Sequence, residues 1–167
     1  MRVLNPDLFK MRAADCSDVP AIAEVINGAY RVEAAFIEGD RTAPEMIAAM
    51  LAEPDSAFLV VDNPDPATKR LAGAVFVQVR GTRGYFGPLA VDPMLQGKGL
   101  GKAFVRAVEA YCRDRKCEQL DLDVLSFREE LPPFYAALGF VMSGTAEYDE
   151  HQRLRCPAHF ILMTKAL

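Results

Sequence analysis

The sequence has only two histidines, His151 and His159, and four cysteines, Cys16, Cys112, Cys117 and Cys156, with no CxxC pair among them. That supply gives a His/Cys metal site little support, so no metal is expected. The cysteines read as reduced, structural thiols rather than a disulfide framework or reactive groups. A basic excess is missing too: 19 Lys and Arg against 23 Asp and Glu leave a net charge of −4. Without a global positive field, neither nucleic acid nor an acidic membrane is expected as a partner. The short cluster Arg113–Lys116 (RDRK) reads as a helix end facing solvent.

Long apolar runs are absent as well. The opening stretch MRVLNPDLFKMRAAD lacks the continuous apolar core of a signal peptide. The longest uncharged stretch, Leu131–Ala146, is broken by Pro132, Pro133, Gly139 and Gly144 and is too short to span a bilayer. A cytoplasmic location is therefore the expectation. No repeat, low-complexity tract or long linker divides the chain. With 51% hydrophobic and 25% charged residues, positions 1–167 read as a single globular domain able to bury a sizeable core.

What is present is an ordered series of periodic segments. Phe9–Ala14 reads as a first strand, and Asp18–Tyr30 as a helix carrying Ile22, Val25, Ile26, Ala29 and Tyr30, capped by Ser17 or Asp18. A second helix is expected from Thr42, because Thr42 and Glu45 form a capping-box pattern. Ala57–Asp62 and Leu71–Arg80 are β-branched, apolar strands separated by the turn-rich NPDPATKR. Arg83–Val91 is a further strand that Gly87 and Pro88 interrupt. Proline cannot donate to a ladder, so this strand is expected to bulge or part from a neighbour there, leaving backbone groups of Leu89–Val91 free.

A long amphipathic helix follows from about Gly99 to Arg115, then the alternating strand Gln119–Leu125. Leu131–Leu138 reads as a short helix closed by Gly139, and Phe140–Tyr148 and His159–Lys165 as closing strands. Strands with helices between particular pairs imply an α/β or α+β fold whose sheet is covered on both faces.

The stretch VDPMLQGKGLGKAF places Gly97, Gly99 and Gly101 where that long helix begins. Glycine inside a helix costs about 1 kcal/mol relative to alanine, so the cluster calls for a reason. A helix N-terminus offers unpaired N–H groups and partial positive charge, and glycines let the backbone curl closely around an anion. Lys98 and Lys102 add charge to this pyrophosphate cradle. The P-loop is excluded because Ala103 follows Lys102, and the GxGxxG dinucleotide fingerprint lacks its third glycine. The glycines alone also fit a turn that serves tight helix–strand packing.

Gln96, Gly99 and Gly101 spell QxxGxG, and Phe134–Phe140 reads FYAALGF. Together, in this order and with one helix and one strand between them, these motifs resemble the GNAT acetyltransferase superfamily. The clear resemblance covers Tyr85 to Val141. It implies a mixed, mostly antiparallel sheet splayed into a V, with helices on both faces and acetyl-CoA as co-substrate. By the resemblance, Leu89, Ala90 and Val91 lie along the pantetheine and Gln96, Gly97, Lys98, Gly99, Leu100, Gly101 and Lys102 hold the pyrophosphate. Phe134 adds a cofactor contact, and Tyr135 is the general acid. One departure is Arg128, which stands where members of the family often carry asparagine.

Acetyl transfer to an amine also needs a proton acceptor. Members of the family often carry an acid on the strand before the signature, and RGYFGPLAV has none. Glu33, Asp40, Asp121, Asp123, His159 and a water chain all stay open; Asp121 and Asp123 share one strand face. Tyr30–Thr42 is the expected acceptor wall, with Tyr30, Glu33 and Phe36 as its contacts and the Glu33 charge drawing a cationic amine. The implied activity is N-acetylation of a small-molecule or protein amine, with a non-catalytic acyl-CoA sensor as the alternative. A phosphate-ligand binder unrelated to CoA is a further reading, which FYAALGF argues against. A homodimer is an admitted arrangement.

Overall fold

A computed structural model of the chain describes residues 9–65, 67 and 71–167. Residues 1–8 of the opening stretch and residues 66 and 68–70 of the turn-rich segment lie outside it. The strands are β1 (Met11–Ala13), β2 (Ser56–Asp62), β3 (Leu71–Arg80), β4 (Arg83–Val91), β5 (Gln119–Leu125), β6 (Val141–Glu147) and β7 (His159–Ala166). They form one sheet in the order β1-β2-β3-β4-β5-β7-β6. Every neighbouring pair is antiparallel except β4 with β5. A parallel pair needs a crossover, and the long helix α3 (Leu100–Asp114) supplies it.

Alternation along β3 divides the core into two layers. Val75 and Val77 join Phe86, Phe104, Val108 and Leu120 under α3. Ala74 and Phe76 face the other way, onto Ile22 and Ile26 of α1 (Val19–Ala29) and Ile47 of α2 (Pro44–Ala52). The α3 layer is tight at Gly73, where a Cβ would lie 2.6 Å from the Phe104 ring and 2.7 Å from the Ala90 carbonyl. Both faces are therefore covered, as the sequence implied. Among the described residues no helix is long and apolar enough to cross a membrane.

One expected cap is placed differently, and another sits where expected without a side-chain bond. The Thr42–Glu45 capping box does not form: α2 starts at Pro44 with Ala43 as its N-cap and no side-chain cap bond. Thr42 is instead buried, its amide donating to Asn27 Oδ1 at 2.9 Å and its carbonyl accepting from Asn27 Nδ2 at 3.0 Å. Proline at the first helical position removes an orphan donor and presets φ, so this helix starts without a hydroxyl cap. At α1, Asp18 is the N-cap but makes no side-chain cap bond. Asp15 caps the preceding 3₁₀ turn, Cys16–Asp18, while the Asp18 carboxylate pairs with Arg12 at 2.8 Å.

The other expected elements form within one or two residues of their expected ends. Arg113–Lys116 is exposed at the end of α3, as expected. The short helix α4 (Leu131–Ala136) closes with Gly139 at φ +96°, Gly139 N–H donating to Ala136 O and Phe140 N–H to Tyr135 O. That closure turns the chain directly into β6.

Candidate active site

The site begins where two strands part. β4 and β5 pair only over Arg83–Tyr85 against Gln119–Asp121, so the rest of each strand borders an open wedge. The parting falls where β4 bulges against β3: Val77 pairs with Phe86 and Val75 with Leu89, which leaves Gly87 and Pro88 as the irregularity. Past the bulge, Asp92 N–H bonds Ala72 O on the β3 side. Strand alternation then turns Ala90 toward β3 and aims the amides and carbonyls of Leu89 and Val91 at the wedge. The expectation of backbone groups turned from the ladder holds for Leu89 and Val91, although their carbonyls accept side-chain bonds from Tyr30 at 3.3 Å and Gln96 at 3.2 Å. Ala90 is different, because its backbone faces the β3 ladder opposite Ala74 and its side chain packs in the α1 layer.

Two cavities meet at this wedge. One, of about 540 Å³, lies between the start of α3 and α4 and is lined by Val91, Gln96, Gly97, Gly99, Leu100, Gly101, Lys102 and Phe134. Gly97 and Gly99 sit at φ +75° and +86°, left-handed values that glycine adopts without strain. Gly101 is helical, and its missing side chain opens toward Phe134, whose Cζ would be 3.5 Å from an added Cβ. A backbone curled by two left-handed glycines and a cavity kept open at Gly101 suit a diphosphate and an extended arm. Lys98 is exposed and lies outside this lining, since the turn points it to solvent.

The other cavity, of about 450 Å³, opens on the opposite side of the wedge. Tyr30, Leu89, Arg128, Leu131 and Tyr135 line both, so they form the partition between the two. Tyr135 is buried edge-on against Phe86, Phe134 and Phe140, with centroids 5.9, 5.0 and 5.8 Å away. Burial, with smaller contributions from Tyr30 and Asp123, pushes its phenol well above the ordinary range, so it stays protonated at neutral pH. Tyr30 donates to Leu89 O at 3.3 Å and lies beneath the guanidinium groups of Arg41 and Arg128 at 5.3 and 5.9 Å.

Of the expected proton acceptors, Glu33 and Asp123 line this second cavity, whereas Asp40, Asp121 and His159 do not. Asp121 is held by Arg83 at 2.6 Å and by the Thr164 hydroxyl at 2.7 Å. Burial works against its charge, but these partners win and hold its pKa below the ordinary carboxylate value. Asp123 accepts from the Tyr85 hydroxyl at 3.1 Å, and burial raises its pKa, with Glu150 adding to the rise. Glu33 is buried and paired with Arg128 at 2.9 Å, so its charge is compensated rather than presented to an acceptor. Burial still pushes its pKa up, against the pull of Arg41 and Arg128.

Phe36 differs from its expected place. It lines neither cavity, because its ring stacks on Phe127 (centroids 4.3 Å, 12°) in a small cluster with Ile37, Leu125 and Phe160. Conversely, Tyr85, Glu150 and His151 line the second cavity without having been expected there, and Arg41 lines it from within the expected Tyr30–Thr42 wall without having been singled out. Glu150 and His151 arrive on a loop held by Gln152, whose amide donates to the carbonyls of Glu38, Gly39 and Asp40 at 3.3, 3.3 and 2.7 Å. No periodicity marks such a loop; the alternation of β4, which puts Tyr85 opposite β5, was the one usable signal. Among the described residues no cluster of three or more His, Cys, Asp or Glu is placed to hold a metal.

The model of the acetyltransferase (GNAT) family matches residues 20–140. The chain belongs to the GNAT acetyltransferase family. It is 37% identical over 90 residues to glucosamine 6-phosphate N-acetyltransferase 1 of Oryza sativa subsp. japonica, a match covering 50% of this chain and 53% of that protein. The matched region thus spans about half the length of that relative. In fold, this GNAT chain is similar to the Escherichia coli ribosomal-protein alanine N-acetyltransferase, with a TM-score of 0.76, 17% identity and coverage of 95% and 93% of the two chains. Nourseothricin acetyltransferase is similar too, at a TM-score of 0.71, 19% identity and coverage of 95% and 98%.

Proposed function

We propose that residues 1–167 form one acetyltransferase domain that moves an acetyl group from acetyl-CoA to a primary amine in a ternary complex. The observation that carries this reading is the meeting of two cavities at Tyr135 and Leu89 in the wedge between β4 and β5. A donor entering from one side and an acceptor from the other meet without either crossing the sheet, which is what direct attack requires. The match to glucosamine 6-phosphate N-acetyltransferase supports a small-molecule acceptor.

When bound, acetyl-CoA supplies an activated thioester. Leu89 and Val91 offer backbone edges to its pantetheine, and the amides from Gln96 to Lys102 offer donors to its pyrophosphate. The Leu89 N–H, aimed at the wedge, is the donor placed to polarise a carbonyl. Asp123, whose raised pKa brings it closer to neutrality, takes the proton from the attacking amine. Tyr135, held protonated by burial, returns a proton to the departing thiolate.

Incubation with acetyl-CoA and a mixed amine panel, read as free thiol, tests the reading. Thiol release that depends on amine is expected; CoA binding without any release would favour the acyl-CoA sensor instead.

A further inference from the structure

The second cavity contains a buried cationic group that the protein does not satisfy. Arg41 is mostly buried, with 17% of its side chain exposed, and its Nη2 is 4.0 Å from Glu150, a long ion pair. Its Nη1 is buried and has no hydrogen-bond partner among the described residues. Such orphaned donors are rare in folded proteins, because burial removes water and gives nothing back. The backbone beside Arg41 is tied to the Glu150–Gln152 loop by the Gln152 bond to Asp40 O at 2.7 Å.

Several of the other charges lining this cavity have partners of their own, and Glu53, Glu150 and His151 line it as well. Glu33 is paired with Arg128 at 2.9 Å, and Arg128 also holds Glu130 at 2.7 Å. Arg80 lies over the Tyr85 ring at 4.8 Å, and the Tyr85 hydroxyl donates to Asp123 Oδ2 at 3.1 Å. The cavity is left with two unlike ends. Arg41 lines one end beside Tyr30 with a guanidinium that meets Glu150 only at 4.0 Å, and Asp123 offers a carboxylate whose charge is felt at Tyr135. A guanidinium fits a carboxylate or a phosphate, both of which can take parallel N–H bonds.

We propose that the acceptor is a small amine that also bears an anionic group, a carboxylate or a phosphate, held by Arg41 while the amine faces Asp123 and Tyr135. This rests on the acetyl-transfer reading and names its substrate class. It makes neutral amines and polyamines poor acceptors, because they leave Arg41 unpaired.

The test uses matched pairs that differ only in the anionic group: glucosamine 6-phosphate against glucosamine, and phenylalanine against phenethylamine. Each is titrated calorimetrically into the full chain with saturating CoA, which cannot react. At least one anionic member is expected to bind tenfold or more tightly than its neutral partner. Preference within the sugar pair alone identifies a phosphate, and within the amino-acid pair alone a carboxylate. Arg41→Gln should bring the anionic member level with its partner, and Arg41→Lys should recover part of the difference. Equal binding within both pairs, a preference that survives Arg41→Gln, or no binding by either anionic member overturns the proposal; the comparisons made on the wild type do not depend on how the variants fold. Thiol release from acetyl-CoA with neutral amines as efficient as with anionic ones overturns this inference and leaves acetyl transfer standing. An Arg41-dependent anion preference without thiol release does the opposite.

Discussion

Tyr135 and Asp123 both feel burial, and it drives them toward complementary roles. A buried phenol resists ionisation, so Tyr135 can only give a proton; a buried carboxylate gains basicity, so Asp123 is better suited to accept one. Tyr135→Phe removes one hydroxyl and keeps the edge-on contacts with Phe86 and Phe140. We expect kcat to fall about 10²-fold or more with acetyl-CoA affinity unchanged, measured by steady-state kinetics beside calorimetry. Unaltered kcat would return Tyr135 to a packing role. For Asp123 the working form is the carboxylate, so wild-type kcat should decline as pH falls through its pKa. Because that pKa is raised, the decline begins at higher pH than for an exposed aspartate. Asp123→Asn should lower kcat about 10²-fold and remove that acid limb from the pH profile. A profile that keeps its acid limb in the variant would point to Glu33 or to water. The sequence named both carboxylates but could not rank them. What separated Asp121 from Asp123, two residues apart on one face, was Arg83, which pairs with Gln119 in the sheet register and reaches across to Asp121 with its guanidinium at 2.6 Å.

Among the elements, the first turn of α3 and the facing α4 form the side proposed for the cofactor. Gly101 sits in a helix where φ places no demand for glycine, and an added Cβ would meet only Phe134 at ordinary contact distance. Packing alone would therefore accept a side chain there. The reason for glycine is the cavity, which Gly101 and Phe134 line from opposite sides. Gly101→Val should fold and yet weaken CoA binding by more than tenfold, or about 1.4 kcal/mol. Calorimetric titration of the folded variant checks it; undiminished affinity would assign these glycines to chain geometry only. Elements were also where the sequence was easiest to read. Long periodic segments such as α3 and β3 announce themselves because one face must be buried, and their periods of 3.6 and 2 are local. The capping box at Thr42 misled because Pro44 and Asn27 supply by other means what a hydroxyl cap would have supplied.

For the whole molecule, the wedge divides the sheet. Only Arg83–Tyr85 and Gln119–Asp121 pair β4 with β5, so the two halves of the sheet lean on helices α3 and α4 to stay together. A ligand that lies in the wedge and contacts β4, α3 and α4 binds the folded state alone. By mass action, CoA at one hundred times its dissociation constant should stabilise the fold by about 2.7 kcal/mol. For a chain of this size that corresponds to roughly 5–10 °C in Tm. A thermal melt with CoA, against ATP and NAD as controls, measures it. No shift with CoA, or equal shifts with all three, would count against the assignment of this cavity to the coenzyme.

The sequence by itself determined the order of elements, the break in β4 at Gly87-Pro88, the glycine turn before α3 and the two motifs that resemble the family. All of these are written in contiguous residues, where backbone preference and side-chain period act locally. Tertiary structure decided which residues line the second cavity. Tyr85 and Asp123 come from two strands distant in the chain, and Arg41 and Glu150 from two loops without any period. Their charges and partners depend on which residue lies opposite which across the wedge. So do the pairing that occupies Glu33, the stacking that withdraws Phe36 and the burial that leaves Arg41 Nη1 without a partner among the described residues. Electrostatics in a buried site depends on distance and exclusion of water, and neither exists until the sheet has closed around it.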